Sequence, residues 1–384
     1  MRGRYTVPPM RAFLYRPQTV FFRRALFQVH LWTGIAAGLY IFVVCVTGAA
    51  LMFRIDMQRA AHPELFTPGD GPAANPAAVL EQVRDAFPAD DVSFVEAPSR
   101  LRPVYLAYLK RGDDFPAVLV DPASGRVLGE VPQHSAIRTL QELHFDLLAG
   151  RRGRVANGIG AALLLVLSLT GVVIWWPGVA NWGRSVKIRW TKNWRRVSWD
   201  LHSATGFWTV VLIAMWAVTG IYFAFPGQFR DVVNGISPLT VVVPPASEPS
   251  AAGVQRPSWR ELVARAQQER PGEHVARMVP PADGKAAFVV MFSKRMPLPG
   301  GRADLTPVYL DQYTAAVLKS PDVRRSAGDV VMDWAGWLHV GGFGGNGVRI
   351  AWFVLGLAPP LLFATGFTMW WTRVVRPRTG RSGR

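Results

Sequence analysis

Four stretches of the chain, 25–53, 155–183, 201–229 and 350–372, contain no Asp, Glu, Lys or Arg. Each is mostly apolar and 23 to 29 residues long. At a rise of about 1.5 Å per residue, a helix of that length crosses a hydrocarbon core of about 30 Å. A water-soluble domain could not expose four such segments, so the chain reads as an integral membrane protein with four spans.

The charges then read as a topology map. The 384 residues carry 43 Lys+Arg against 26 Asp+Glu, a net +17. So basic a chain first suggests a nucleic-acid partner. However, residues 1–24 hold six Arg, 178–198 six Lys/Arg and 373–384 five Arg, with no acid in any of them, and these seventeen equal the whole net charge. Short flanks rich in Lys/Arg stay in the cytoplasm. Both termini and the 178–198 loop are therefore expected inside, with 54–154 and 230–349 outside, and no nucleic-acid partner is expected. The first span is too long for a signal-peptide core of about 7–15 residues and is expected as a retained anchor. The single Cys45 permits no intramolecular disulfide and reads as a small buried filler.

The halves repeat. Arg23-Arg24-x5-His30-x2-Thr33-Gly34 matches Arg195-Arg196-x5-His202-x2-Thr205-Gly206. Eighteen residues beyond each His a second Thr-Gly ends, at Gly48 and Gly220, on the same helix face as its histidine. Before the second and fourth spans stand Leu143-His144 and Leu338-His339, each followed ten residues later by Arg154 or Arg349. Twenty-seven residues after these histidines come Gly171 and Gly366, leading to Trp175-Trp176 and Trp370-Trp371. Each half starts and ends inside, so the expected fold is a four-helix bundle of two parallel, pseudo-symmetric halves about the membrane normal. The outer segments repeat too: a helix at 76–87 with strands at 92–96, 104–110, 117–121 and 126–131, then a helix at 258–270 with strands near 274–279, 286–293, 306–311 and 315–319. Pro/Ala/Gly-rich linkers are expected near 67–76 and 237–257. The expected organisation is 1–24 cytoplasmic, 25–53 first helix, 54–140 an external α+β domain, 141–177 second helix with its entry, and 178–198 cytoplasmic loop. It continues with 199–229 third helix, 230–330 a second external domain, 331–372 fourth helix with its entry, and 373–384 cytoplasmic tail.

Of seven histidines, four occupy the repeated positions. Ionisable groups near membrane depth are costly and usually functional, and imidazole is a natural axial ligand of haem iron. The repeat would bring His30 to His202 in one layer and His144 to His339 in another, as ligands of two b-type haems. Gly34 and Gly206 would leave room for a porphyrin. Arg23, Arg24, Arg195 and Arg196 would pair with propionates of the inner haem, and Arg154 and Arg349 with those of the outer one. A lone histidine at such a position is more often a hydrogen-bonding residue, and the Arg pairs also serve as topology signals; the shared register carries the ligand reading. His62, His134 and His274 lie outside the repeat and read as exposed residues.

With these motifs the chain resembles the PepSY-associated transmembrane family over nearly its whole length and, within it, is most similar to the FoxB-type inner-membrane ferrisiderophore reductases. The resemblance implies two periplasmic PepSY-like domains, haem held by the bundle histidines, and reduction of a ferric siderophore by electrons from a quinol or cytoplasmic donor. Two other readings stand beside it. One is a membrane-anchored PepSY module that binds or regulates a periplasmic peptidase. The other is a ferric-siderophore permease, for which four spans are few. The module has no use for histidines in register, and apart from the histidines no span carries a mid-membrane ionisable pair for a permease.

Overall fold

The computed structural model describes residues 21–375 except 73, 113, 191–192, 242, 249–255, 295–304 and 320–324. Most of the expected segments 1–24 and 373–384 lie outside the described residues. Four helices are long and apolar enough to cross a membrane: Phe21–Leu51, Gly150–Trp175, Trp194–Ala224 and Gly345–Val374. They are referred to below as the first to fourth spans. The fourth is broken at Leu357, where the Gly345–Gly356 helix gives way to Ala358–Trp370. Pro359 and Pro360 stand in the first turn of the second piece, where their missing N–H groups cost nothing.

Each span packs on its sequence neighbours, and the fourth closes the ring on the first. The first and third spans therefore face each other across the middle. Leu39, Leu169 and Val211 point outward and are exposed, while Thr47, Ser168, Thr170, Thr209, Thr219 and Thr365 are buried. That inversion of the soluble pattern suits lipid, where small and hydroxyl residues bring helices together. Glycine makes two of the closest approaches. A Cβ on Gly38 would lie 2.1 Å from the Phe363 ring, and one on Gly160 would lie 2.1 Å from Tyr40.

The segments between spans one and two and between spans three and four build one antiparallel sheet of eight strands, in the order β4-β3-β2-β1-β5-β6-β7-β8. Strands β1 (Asp91–Glu96), β2 (Tyr105–Lys110), β3 (Ala117–Val120) and β4 (Val127–Glu130) come from the first segment. Strands β5 (His274–Val279), β6 (Phe288–Ser293), β7 (Thr306–Leu310) and β8 (Val317–Leu318) come from the second. The two external domains expected from the sequence meet edge to edge in this sheet, where β1 and β5 pair through Val95↔Met278 and Glu96↔Arg277. Glu96 ties the seam with side chains as well, bonding Arg277 across it and Arg102 at 3.4 Å within its own half. Helices Pro76–Ala86, capped by Asn75, and Trp259–Glu269, opened by a Ser258/Glu261 capping box, pack on the sheet. Their Val79, Leu80, Val83, Leu262 and Val263 share one core with Val95, Met278, Phe288 and Phe292.

The linkers are strapped down at matching turns. Asp121 accepts from the N–H of Gly69 (2.8 Å) and Asp311 from the N–H of Glu248 (3.0 Å). Burial works to raise the Asp121 carboxyl, but hydrogen bonds from Ser124, Gly69 and Ala123 outweigh it and hold it down to about 2.

Candidate functional site

The second and fourth spans are each preceded by a separate helix, Ala136–Asp146 and Ala327–Val340, and these carry His144 and His339. The chain breaks sharply after each. Leu147 and Leu148 adopt left-handed φ of 54° and 60°, and Gly341 does so at 59°. The breaks bring the two histidines over the sheet end of the bundle, with ring centroids 6.3 Å apart. His30 on the first span meets His202 on the third, diagonally across the ring, at 6.4 Å. Along the first span, His30 lies fourteen residues, about 21 Å, from Val44, whose carbonyl holds His144. The four histidines thus form two layers, a near layer by the sheet and a far layer toward the other end.

In every case the bonded ring nitrogen is Nδ1. His30 Nδ1 meets Thr170 Oγ1 at 3.0 Å. His202 Nδ1 meets Thr365 Oγ1 and the Leu362 carbonyl, both at 3.0 Å. His144 Nδ1 meets the Val44 carbonyl at 2.9 Å and Thr47 Oγ1 at 3.4 Å. His339 Nδ1 meets Thr219 Oγ1 at 2.8 Å. Each threonine hydroxyl already donates to a carbonyl one turn back, at 2.7 to 2.9 Å. A hydroxyl that donates there accepts from the ring, and the Val44 and Leu362 carbonyls can only accept; both arrangements put the proton on Nδ1 and leave the Nε2 lone pair free. A metal-ligating imidazole needs that state. The repeated Thr-Gly pairs thus serve a histidine on another helix rather than the one on their own face. A Cβ on Gly48 would lie 2.6 Å from His144, one on Gly366 3.2 Å from His202 and one on Gly171 3.4 Å from His30, so the rings lie close over these helix backbones.

The donor set fits haem. An imidazole nitrogen binds a transition metal at about 2 Å and lies roughly 1 Å from its ring centre, so two rings on opposite sides of one ion have centroids about 6 Å apart. Both pairs meet that spacing. No cluster of three or more His, Cys, Asp or Glu that could hold a metal occurs among the described residues. Two imidazoles alone underserve a bare ion, whereas a porphyrin brings the remaining ligands itself.

The other expected site residues are placed unevenly. Gly34 and Gly206 face Leu167 and Leu362, whose Cδ2 atoms would each lie 3.7 Å from an added Cβ, an ordinary van der Waals contact. Arg23 donates to the Ile174 carbonyl at 2.5 Å. Arg24, Arg195 and Arg154 are exposed. Arg196 pairs with Asp200 at 3.0 Å, as does Arg189 at 3.1 Å. Arg349, 9% exposed, donates to the Met52 carbonyl at 2.9 Å and to Asn346 at 2.9 Å and pairs with Asp56, which ties the fourth span to the end of the first. Its cation is thereby engaged within the protein. Sequence reasoning missed the residues that hold the near-layer backbone. Asn157 Nδ2 donates to the His144 carbonyl at 2.6 Å and is itself bonded by Tyr40 at 2.8 Å. Trp216 and Trp352 donate to the carbonyls of His339 (3.2 Å) and Leu338 (2.8 Å). An amide inside a charge-free span was the available signal for Asn157; tryptophans at such depth resemble ordinary packing.

No curated protein matches the chain. The family model described as "PepSY-associated TM region" matches residues 27–373, which takes in both histidine layers, the whole sheet and nearly all of the four spans, and the chain belongs to that family.

Proposed function

We propose that the protein is a haem-binding oxidoreductase of the bacterial inner membrane that passes electrons across the bilayer to a ferric siderophore on the sheet side. The observation that carries this reading is the pair of histidine layers, each at bis-imidazole spacing and each ring fixed through Nδ1. His30 and His202 would hold one b-type haem, His144 and His339 the other. Haem bound there would supply one-electron redox chemistry. The chain supplies the rest: threonine and carbonyl acceptors fix each tautomer. Equivalent contacts in the two halves, such as Gly34 on Leu167 and Gly206 on Leu362, support a pseudo-two-fold relation of parallel halves about the membrane normal. The basic flanks support cytoplasmic ends and a periplasmic sheet. A quinol or cytoplasmic donor would then serve the far layer, and reduction of a chelate at the sheet end would weaken the match between hard Fe³⁺ and its oxygen ligands. The FoxB-type resemblance supports the same substrate class.

A reduced-minus-oxidised spectrum of the purified protein tests the reading. A bis-histidine signature with about two haems per chain is expected, falling to about one in either His30→Ala or His144→Ala, with chelate reduction lost in both. A colourless protein, or a ratio indifferent to these substitutions, refutes it.

A further inference from the structure

The two halves share a repeat, but their rims on the sheet side of the bundle differ. Helix Pro226–Ile236 begins where the third span ends, after a break at Phe225. Helix Ala327–Val340, which carries His339, ends a few residues before the fourth span starts at Gly345. Both helices therefore stand at the sheet-side mouth of the bundle. Gly328, Ala335 and His339 share one side of the second helix, at intervals of seven and four residues. That side packs inward: Ala335 is buried, and a Cβ on Gly328 would lie 3.2 Å from Val233 of the first helix. The opposite side carries Val330, Val331 and Trp334, all exposed. On the first helix Val232 and Ile236, one turn apart, are 63% and 82% exposed.

The repeat shows that the fold does not require this apolar rim. The histidines set the register, 172 residues from His30 to His202 and 195 from His144 to His339. At these offsets Val232 and Ile236 correspond to Ala60 and Glu64, and Val330, Val331 and Trp334 to Ser135, Ala136 and Thr139. The first-half residues are small or polar, and Ala60, Glu64, Ala136 and Thr139 are exposed. The first-half helix also carries an exposed Arg138–Glu142 ion pair at 2.7 Å. Such a rim suits water. Exposed Val, Ile and Trp adjoining two membrane spans suit the lipid interface, where an indole sits at headgroup level and aliphatic side chains enter the acyl boundary. We propose that the rim of the second half is embedded in the lipid leaflet on the sheet side while that of the first half stands in water, so that the bundle sits tilted in the membrane. The apolar face reaches nine residues above His339, to Val330, whereas charge begins two residues above His144, at Glu142. At 1.5 Å per residue the difference in height is at most about 10 Å, and across two helix diameters of about 10 Å each it makes a tilt of roughly 25°. Membrane helices ordinarily tilt by about 20°, within a range of about 0–40°. Asp333, about 100° round the helix from Trp334, pairs with Arg325 at the edge of the apolar face, which suits headgroup level.

The inference uses the repeat and the spans and not the haem, so it stands or falls separately from the reductase reading. The test uses the full-length protein in lipid vesicles, with Cys45→Ala as background and a nitroxide on one introduced cysteine. Ile236→Cys and Trp334→Cys probe the second half, and Glu64→Cys and Thr139→Cys the matching positions of the first. Collisions with oxygen, which concentrates in lipid, are compared with collisions with a water-soluble nickel chelate. The oxygen-to-nickel ratio is expected to be several-fold higher at positions 236 and 334 than at 64 and 139. Trp334→Phe, with Cys45 retained, preserves the test if the cysteine variants fold poorly: the fluorescence it removes should be quenched in vesicles of lipid brominated near the headgroup end of the acyl chain. Nickel access at 236 and 334 equal to that at 64 and 139, or unquenched Trp334 emission, overturns the proposal and puts the rim in water. Exclusion of both colliders from 236 and 334 also overturns it and assigns the face to a protein contact. A high oxygen ratio at all four positions overturns the tilt.

Discussion

Thr47 and Thr219 occupy the same position of the sequence repeat, yet their substitution by valine is expected to have unequal consequences. The His339 ring has one hydrogen-bond partner among the described residues, Thr219 Oγ1 at 2.8 Å. Valine there keeps the branched shape and removes the acceptor, so a buried N–H is left unsatisfied at a cost of about 1–3 kcal/mol. The ring can escape that cost by moving its proton to Nε2, but it then forfeits the Nε2 lone pair that a metal ion needs. If the proposed haem binds here, either route lowers its affinity by about tenfold or more, at 1.4 kcal/mol per decade, in line with the 10–100-fold typical of ligand-orienting partners. His144 differs, because its Nδ1 donates chiefly to the Val44 carbonyl at 2.9 Å and Thr47 is more distant at 3.4 Å. Thr47→Val leaves the stronger acceptor in place and should cost no more than about 0.5 kcal/mol, roughly a twofold change. The assay is competition for haem between the purified variant and a soluble scavenger, followed at the near-layer absorbance, with the far layer as internal reference. Equal losses in the two variants, or a harmless Thr219→Val, would refute the tautomer argument.

Other consequences are testable in the same preparation. Arg349→Gln should lower stability by about 1–3 kcal/mol, because Asp56 and the Met52 carbonyl lose a buried partner, whereas Asp56→Asn should cost under about 1 kcal/mol because that carboxylate is half exposed; thermal melting in detergent compares them. Asp121→Asn should destabilise the sheet at neutral pH. The Asp121 carboxyl is held down to about 2, so its contribution is complete above about pH 5 and is lost as pH falls through about 2; the gap in melting temperature between wild type and variant should close over that window. Leu148→Gly should be neutral or stabilising by up to about 1 kcal/mol, since it relieves a left-handed leucine, whereas Leu→Gly in a right-handed helix destabilises; chemical denaturation separates these outcomes.

The spans and the histidine register were legible because both are one-dimensional. Freedom from charge needs no partner to be recognised, and a repeat of His and Thr-Gly at fixed offsets survives without coordinates. The strands were legible from their alternation and turns, as in Asp121-Pro122-Ala123-Ser124, where the aspartate organises the turn. What crosses between segments was not legible. Nothing in β1 or β5 announces that Val95 will pair with Met278, because an edge strand and an internal strand can carry the same pattern. The eighteen-residue spacing placed Gly48 correctly on the face of His30, but a face is shared by every neighbour it touches, and the ring that lies over Gly48 is His144. Arg349 looked like a spare cation because its partner, Asp56, is almost three hundred residues away. Charge counting finds where the surplus lies; it does not find which cation is paired with which acid.

The near layer shows why the repeat alone was insufficient there. The two halves solve one mechanical problem, a helix that ends abruptly over the bundle with a histidine aimed inward, using different residues. In the second half Gly341 takes the left-handed turn without strain, and Trp216 and Trp352 bind the freed carbonyls of His339 and Leu338. In the first half the left-handed turn falls to two leucines, at a cost of about 1–2 kcal/mol each. Asn157, Tyr40 and the Val44 carbonyl hold His144 against that strain. A strained segment persists only where its surroundings over-determine it. The first half therefore holds its histidine with more bonds on a costlier backbone, and the second with fewer on a relaxed one. Loosening the contacts should thus free His339 before His144, although the sequence assigns the two the same role.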